Sequence, residues 1–154
     1  MHHRHSSRFP REAGRSGGDA SGLAENAASP EQRAMLREDA RQICNARELR
    51  GKLFDRNIFG EPAWDILLAL YTIDGDRRRL NTRELSELAS LKLTTALRWL
   101  DYLDEQGLIW RKANPFDQRM VYAELSDKGR ATMDEYLLQM HGAGMFGPIA
   151  GSKD

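Results

Sequence analysis

A chain of 154 residues has room for one ordinary domain with appended segments, and its 40% hydrophobic and 30% charged content is that of a solvated globular protein. The 23 basic residues balance the 23 acidic ones, so net charge gives no support to a polyanionic partner, and any basic face must come from the order of the residues. No apolar run approaches the roughly 20 residues that cross a bilayer, the start lacks the hydrophobic stretch of a secretory signal, and one cysteine excludes an internal disulfide and a thiolate zinc site; a cytoplasmic, membrane-free protein is expected.

Residues 1–28 are Ser, Gly, Ala, Arg and His with hardly any large apolar side chain, and read as a disordered arm that cannot offset its ordering entropy. His2, His3 and His5 fall in this arm and are not assigned to a metal; no metal and no cofactor is expected. Ser29-Pro30-Glu31-Gln32 is a helix start, with Ser as N-cap, Pro in the first turn and Gln32 completing a capping box. The helix should run to about Leu49 or Leu53, with an apolar stripe through Met35 or Leu36, Ala40, Ile43, Ala46 and Leu49.

Asn57 to Gly60 breaks the pattern, and a second helix is expected from Glu61, with Pro62 in its first turn and apolar residues on most sides through Tyr71. Trp64 should be a core anchor there. Asp74-Gly75-Asp76 turns the chain, and Arg77-Arg78-Arg79 reads as a solvated basic loop. Asn81 to Glu84 opens a third helix whose inward face is Leu85, Leu88 and Ala89. A fourth helix begins near Thr94, whose hydroxyl can cap it; Ala96, Leu100 and Leu103 point inward with Trp99 beside them, Thr95, Arg98 and Tyr102 point outward, and Gly107 ends it.

The period then changes. Leu108 to Arg111 is a strand candidate, Asn114-Pro115-Phe116-Asp117 is turn chemistry, and Met120 to Leu125 alternates as a returning strand. Ser126 starts a last helix with Met133, Tyr136, Leu137 and Met140 on one face, before a glycine-rich end. Two short helices followed by a hairpin outline a winged helix-turn-helix: mainly α with a small β-hairpin wing (α+β).

At Leu85–Ala89, Thr94–Leu103, Asp104–Arg111, Asp117-Gln118-Arg119 and Leu125–Gly129 the sequence resembles the MarR family of winged-helix regulators, over Ile58 to about Tyr136. The resemblance implies a homodimeric, nucleoid-associated transcriptional regulator that binds double-stranded DNA. It divides the chain into the arm 1–28, a dimerisation helix 29–56, a DNA-binding domain 57–126, a C-terminal helix 127–141 and a tail 142–154. Since residues 140–154 supply less helix than the family commonly has, dimerisation is expected to rest on the first helix, at Leu36, Ala40 and Ile43.

For DNA contact, Thr94, Thr95 and Arg98 are the helix candidates, the guanidinium being able to bridge guanine O6 and N7. Arg119 is the wing candidate, with Asp117 paired to it, and Lys92, Arg111 and Lys112 are candidate phosphate contacts. Members of the family also suggest a small aromatic effector and, through a cysteine in the first helix, a redox switch at Cys44, with Arg41, Arg47 and Arg50 near enough in sequence to assist. No phosphate-cradling glycine loop, nucleophile elbow or zinc-protease motif is present, so an enzyme is not expected. The competing class is a winged helix used for protein–protein contact or scaffolding, because the fold does not fix the function.

Overall fold

The computed structural model describes residues 28–76 and 78–146, with side chains at all of these except 56 and 57. The expectations for the arm, for Arg77 and for the end of the tail lie outside the described residues.

Helix α1 spans Pro30–Leu53 and opens on the expected capping box, the Ser29 hydroxyl accepting from the Gln32 N–H at 3.1 Å while the Gln32 side chain accepts from Ser29 N–H at 2.8 Å. Its first half buries Leu36, Asp39 and Ala40 inside the chain's own core, and its last turns leave Leu49 and Leu53 exposed. A 3-10 turn at Arg56–Phe59 leads into helix α2, Pro62–Thr72. As its all-round apolarity predicts, α2 is central, burying Ile66, Leu68, Ala69, Leu70 and Tyr71. Trp64 is a half-buried anchor at the edge of this core, meeting Tyr136 edge-on with centroids 5.0 Å apart.

Strand β1, Leu80–Asn81, precedes helix α3, Thr82–Leu88, which starts on a second capping box between Asn81 and Glu84. Leu85 and Ala89 are buried as expected, but Leu88 is exposed and Ser86 takes the inward position instead. The chain reverses at Ser90, which adopts φ +56°, and enters helix α4, Leu93–Glu105. Lys92 is its N-cap and no side chain caps it, so the expected capping role of Thr94 is corrected: the helix starts earlier, and Thr94 lies inside the first turn. Gly107, at φ +70°, turns the chain out of α4 as expected.

Strands β2, Ile109–Ala113, and β3, Val121–Leu125, form the predicted antiparallel hairpin, and β1 pairs on the other side of β3 to give the order β1-β3-β2. Helix α5, Asp127–Gly142, is capped by Ser126 and returns Met133 and Leu137 to the core. Tyr136, expected beside them, is 43% exposed and packs on Trp64 at the edge of the core instead. The assembly is a winged helix-turn-helix: α3 and α4 joined by a tight turn, a three-stranded sheet carrying the hairpin, and α1, α2 and α5 behind them.

Three groups of polar side-chain contacts tie that support together. Arg47 of α1 reaches Asp65 at 2.6 Å and Glu61 at 2.7 Å, Arg130 of α5 grips Asp74 through two nitrogens at 2.6 and 2.9 Å, and His141 Nδ1 lies 2.9 Å from Asp39 Oδ2. The two-point contact of Arg130 with Asp74 holds geometry better than a single surface pair.

Candidate nucleic-acid interface

The rotation of α4 is set by what it buries. Ala96 and Leu100 are fully buried and Leu103 nearly so, which at 100° per residue turns Thr94 and Arg98 to the opposite side. Arg98 is exposed, with its guanidinium carbon 6.0 Å from the centroid of the Trp99 ring, and no carboxylate among the described residues pairs with it. Lys92 is exposed at the N-cap and equally without a described carboxylate partner. Lys92 stands at the N-terminus, where the helix dipole is positive, Arg98 lies in the second turn, and the acidic residues Asp101, Asp104 and Glu105 follow toward the other end. Thr95 is half-buried and faces the cleft described below rather than the open side. Trp99 lies against the core as expected, and its indole N–H is buried without a hydrogen-bond partner among the described residues.

The hairpin is clamped to this helix. Arg111 reaches Asp101 at 2.7 Å and Asp104 at 3.3 Å, so the guanidinium expected to meet phosphate instead offsets part of the charge at the acidic end of α4. Lys112 is likewise engaged, with Glu124 at 3.3 Å and the Trp110 ring at 5.4 Å. Arg79 shares Glu124 at 2.7 Å, and Arg78 lies 3.7 Å from Glu84. Exposed pairs of this sort are worth under about 1 kcal/mol, so a phosphate can compete for them, but they are not free charges.

At the wing tip the expected Asp117–Arg119 ion pair is corrected. Asp117 Oδ1 accepts the Arg119 backbone N–H at 3.1 Å, an Asx turn that shapes the loop, and the Arg119 guanidinium has no carboxylate partner among the described residues. Asn114 makes a second such turn, accepting the Phe116 N–H at 2.9 Å while donating to the Tyr122 hydroxyl at 3.1 Å. Two residue classes escaped the sequence reasoning. Phe116 is 97% exposed at this tip, and Leu93 and Leu97, to which no role was assigned, are exposed on α4.

A cleft of about 830 Å³ opens between α1, α2 and the α3–α4 turn, walled by Cys44, Phe59, Ile73, Leu88, Lys92 and Thr95 among others. Burial, and secondarily the Asp65 carboxylate, push the Cys44 thiol above its usual pKa, against the weaker opposing pull of Arg47. The arginines expected to activate it are committed elsewhere: Arg47 to Asp65 and Glu61, Arg41 to Glu38, and Arg50 over the Phe59 ring. The redox expectation therefore lacks the electropositive setting that a reactive thiolate needs.

The dimerisation residues are also revised. Leu36 and Ala40 are 0% exposed within the single chain, on a helix packed against α2 and α5, so neither is available to a second copy; Ile43 is half-buried against the same core. Among the described residues no group of three His, Cys, Asp or Glu side chains is placed to hold a metal ion, and no helix is long and apolar enough to cross a membrane.

No protein-family model and no curated protein matches the chain. Solved structures similar to it include the transcriptional regulator BldR from Sulfolobus solfataricus, at 18% identity over 58% of this chain with a TM-score of 0.45. This chain spans 64% of BldR's length, less than two thirds. The transcriptional regulator Tm0710 from Thermotoga maritima is similar at 22% identity over 68% of this chain and 71% of that one, with a TM-score of 0.46. The heme sensor protein PefR from Streptococcus agalactiae, solved in complex with heme, matches at 20% identity over 81% of this chain and 84% of that one, also with a TM-score of 0.46.

Proposed function

We propose that the chain is a sequence-specific, double-stranded-DNA-binding transcriptional regulator of MarR type, acting without enzymatic chemistry as a homodimer on a pseudo-palindromic operator. The observation that carries this reading is a pair of exposed arginines, one on α4 and one at the wing tip, that have no carboxylate partner among the described residues. Arg98 stands on the outward side of a helix whose rotation is fixed by burial, and Arg119 at the tip of a hairpin clamped to that helix through Arg111. A helix that fits the major groove and a cationic tip that reaches the backbone or the neighbouring minor groove suit one duplex at once. Thr94 and Lys92 add a hydroxyl and a charge at the groove-facing end, while Arg111 and Lys112 contribute only where phosphate displaces their carboxylates.

The homodimer is supported by the far end of α1, where Leu49, Leu53, Phe54 and Ile58 are exposed together beyond the part of the helix that its own core covers. A small aromatic effector suits the cleft between this supporting layer and α4, where Phe59, Ile73 and Leu88 offer apolar walls and Lys92 and Thr95 belong to the helix that would meet DNA. In this reading the protein works in the cytoplasm, on the nucleoid.

The test is binding of the purified full chain to mixed-sequence duplex across a salt series. A DNA-binding protein loses affinity linearly in log–log form, with a slope that counts the phosphates it neutralises. The zero formal net charge favours a second reading, a winged helix serving protein–protein contact or scaffolding. A flat or absent salt response selects that reading.

A further inference from the structure

The open side of α4 carries two parallel stripes. Thr94 and Arg98 form the polar one, and one turn-spaced pair, Leu93 and Leu97, at 38% and 43% exposure, forms an apolar one along its flank. A single exposed leucine needs no partner. Two at i, i+4 beside Lys92 and Arg98, neither of which has a carboxylate partner among the described residues, combine apolar surface with uncompensated positive charge. The acidic residues of the helix confine that combination to its first two turns. Arg111 offsets only part of the charge of Asp101 and Asp104, Glu105 is exposed in the last turn, and a polyanion is favoured at the start of the helix over its end.

The major groove of duplex DNA presents the complement of both stripes: anionic walls, hydrogen-bonding base edges, and one kind of apolar group on its floor, the thymine 5-methyl. We propose that Leu97, supported by Leu93, is a specificity-determining residue that packs against thymine methyl groups beside the base pair read by Arg98. The assignment rests on the DNA-binding reading above. Side chains four apart on a helix have Cβ atoms about 5–6 Å from one another, within reach of methyls on neighbouring stacked base pairs, so consecutive thymines are the favoured target. Uracil keeps every hydrogen-bonding group of thymine and lacks only the methyl, which isolates this contact from all others.

Duplexes are selected from a random pool with the full wild-type chain, and each thymine of one half-site is then replaced in turn by deoxyuridine. Wild type loses about fourfold in affinity at one or two adjacent thymines, the effect of one buried methyl. Leu97→Ala, whose exposed site leaves the helix intact by circular dichroism, binds the thymine and uracil duplexes alike, and Leu97→Met, which keeps an apolar tip, still tells them apart. Tight binding that ignores every uracil, or a Leu97→Ala variant as sensitive as wild type, overturns the assignment while the DNA reading stands. Failure to select any sequence, with no salt-dependent binding to any duplex, overturns both and gives the leucine stripe to a protein partner.

Discussion

The α-carbon of Gly129 lies so close to the backbone carbonyl of Leu108 that a Cβ at this position would run into the oxygen. The contact locks α5 to the start of the wing. It is reinforced by Ser126, whose backbone N–H donates to the Leu108 carbonyl at 3.0 Å, whose hydroxyl donates to the Gly107 carbonyl at 2.7 Å, and which accepts the Gly129 N–H at 2.9 Å. The Leu-Ser-x-x-Gly run at 125–129 thus has a mechanical reason: the serine caps the helix and the glycine lets it approach.

Gly129→Ala should therefore destabilise the protein by more than about 2 kcal/mol, because the obstacle is backbone and cannot swing aside. Ser126→Ala should cost about 1–2 kcal/mol through the lost cap and the orphaned partners. Urea unfolding followed by circular dichroism measures both. A Gly129→Ala midpoint equal to wild type would show that the junction can open without cost.

Leu36 and Leu53 occupy the same helix with opposite exposure, fully buried and 71% exposed, and this separates folding from assembly. Leu36→Glu should abolish cooperative folding, since it places a charge in the core. Leu49→Glu combined with Leu53→Glu should keep native circular dichroism and, if α1 carries the homodimer, halve the mass seen by light scattering. A native-mass dimer for that double variant moves the interface elsewhere.

The Tyr71 hydroxyl donates to buried Asp134 at 2.6 Å, and Arg33 Nε approaches the other carboxylate oxygen at 3.3 Å. Burial, and then this bond, hold the phenol well above its usual pKa. A group raised in the folded state stabilises fully below its unfolded pKa, about 10 for tyrosine, and that stabilisation is lost progressively as pH climbs beyond it. Tyr71→Phe should cost about 1–3 kcal/mol at pH 7, and the gap from wild type should narrow above about pH 10. Urea midpoints at neutral and alkaline pH decide this; a gap that does not narrow removes the linkage.

Cys44 should behave as a poorly reactive thiol. Its pKa is raised by burial and by Asp65, so at neutral pH it stays protonated and alkylation by iodoacetamide should be slower than for free cysteine, accelerating only above the ordinary thiol range. Peroxide at neutral pH should leave DNA binding unchanged, with Cys44→Ser indistinguishable from wild type. Fast alkylation at pH 7 would restore the redox switch.

What the sequence made legible follows from range. Capping boxes at Ser29 and Asn81, the inward period of Ala96, Leu100 and Leu103, and the hairpin all depend on neighbours within a few residues, and each is found in the structure. Strand β1 was invisible because two residues carry no period. Leu88 was misdirected because it ends a seven-residue helix, too short for a stripe to fix a rotation. Leu97 received no role because it falls on the flank of α4, between the inward period and the outward polar residues, and Phe116 was placed in the turn without its exposure being drawn. The pairing of Arg111 with α4 and of Arg130 with Asp74 joins separate elements, and no local pattern announces it.

Arg98 and Arg119 should fail differently when each is changed to alanine. Arg98 stands on the outward side of α4, where a guanidinium can bridge guanine O6 and N7, so Arg98→Ala should lose about 1–3 kcal/mol on a selected operator and relax preference at one position per half-site. Its effect on unrelated duplex should be smaller, because backbone contacts elsewhere remain. Arg119 projects from the Asx turn built by Asp117, where it would answer to phosphate and to minor-groove potential, so Arg119→Ala should weaken many sequences alike and lower the salt slope by about one. Asp117→Ala should resemble a partial Arg119→Ala, since the turn that aims the arginine is lost while its charge remains. The two helices of a homodimer should also demand half-sites about 34–36 Å apart, so inserting half a turn between them should abolish tight binding. Wild type and the three variants are compared on the operator, its single-base variants and unrelated duplex across a salt series. Equal, sequence-independent losses from Arg98→Ala and Arg119→Ala would refute the division of labour, and no loss from either would remove helix and wing from the DNA and put the protein-contact reading first.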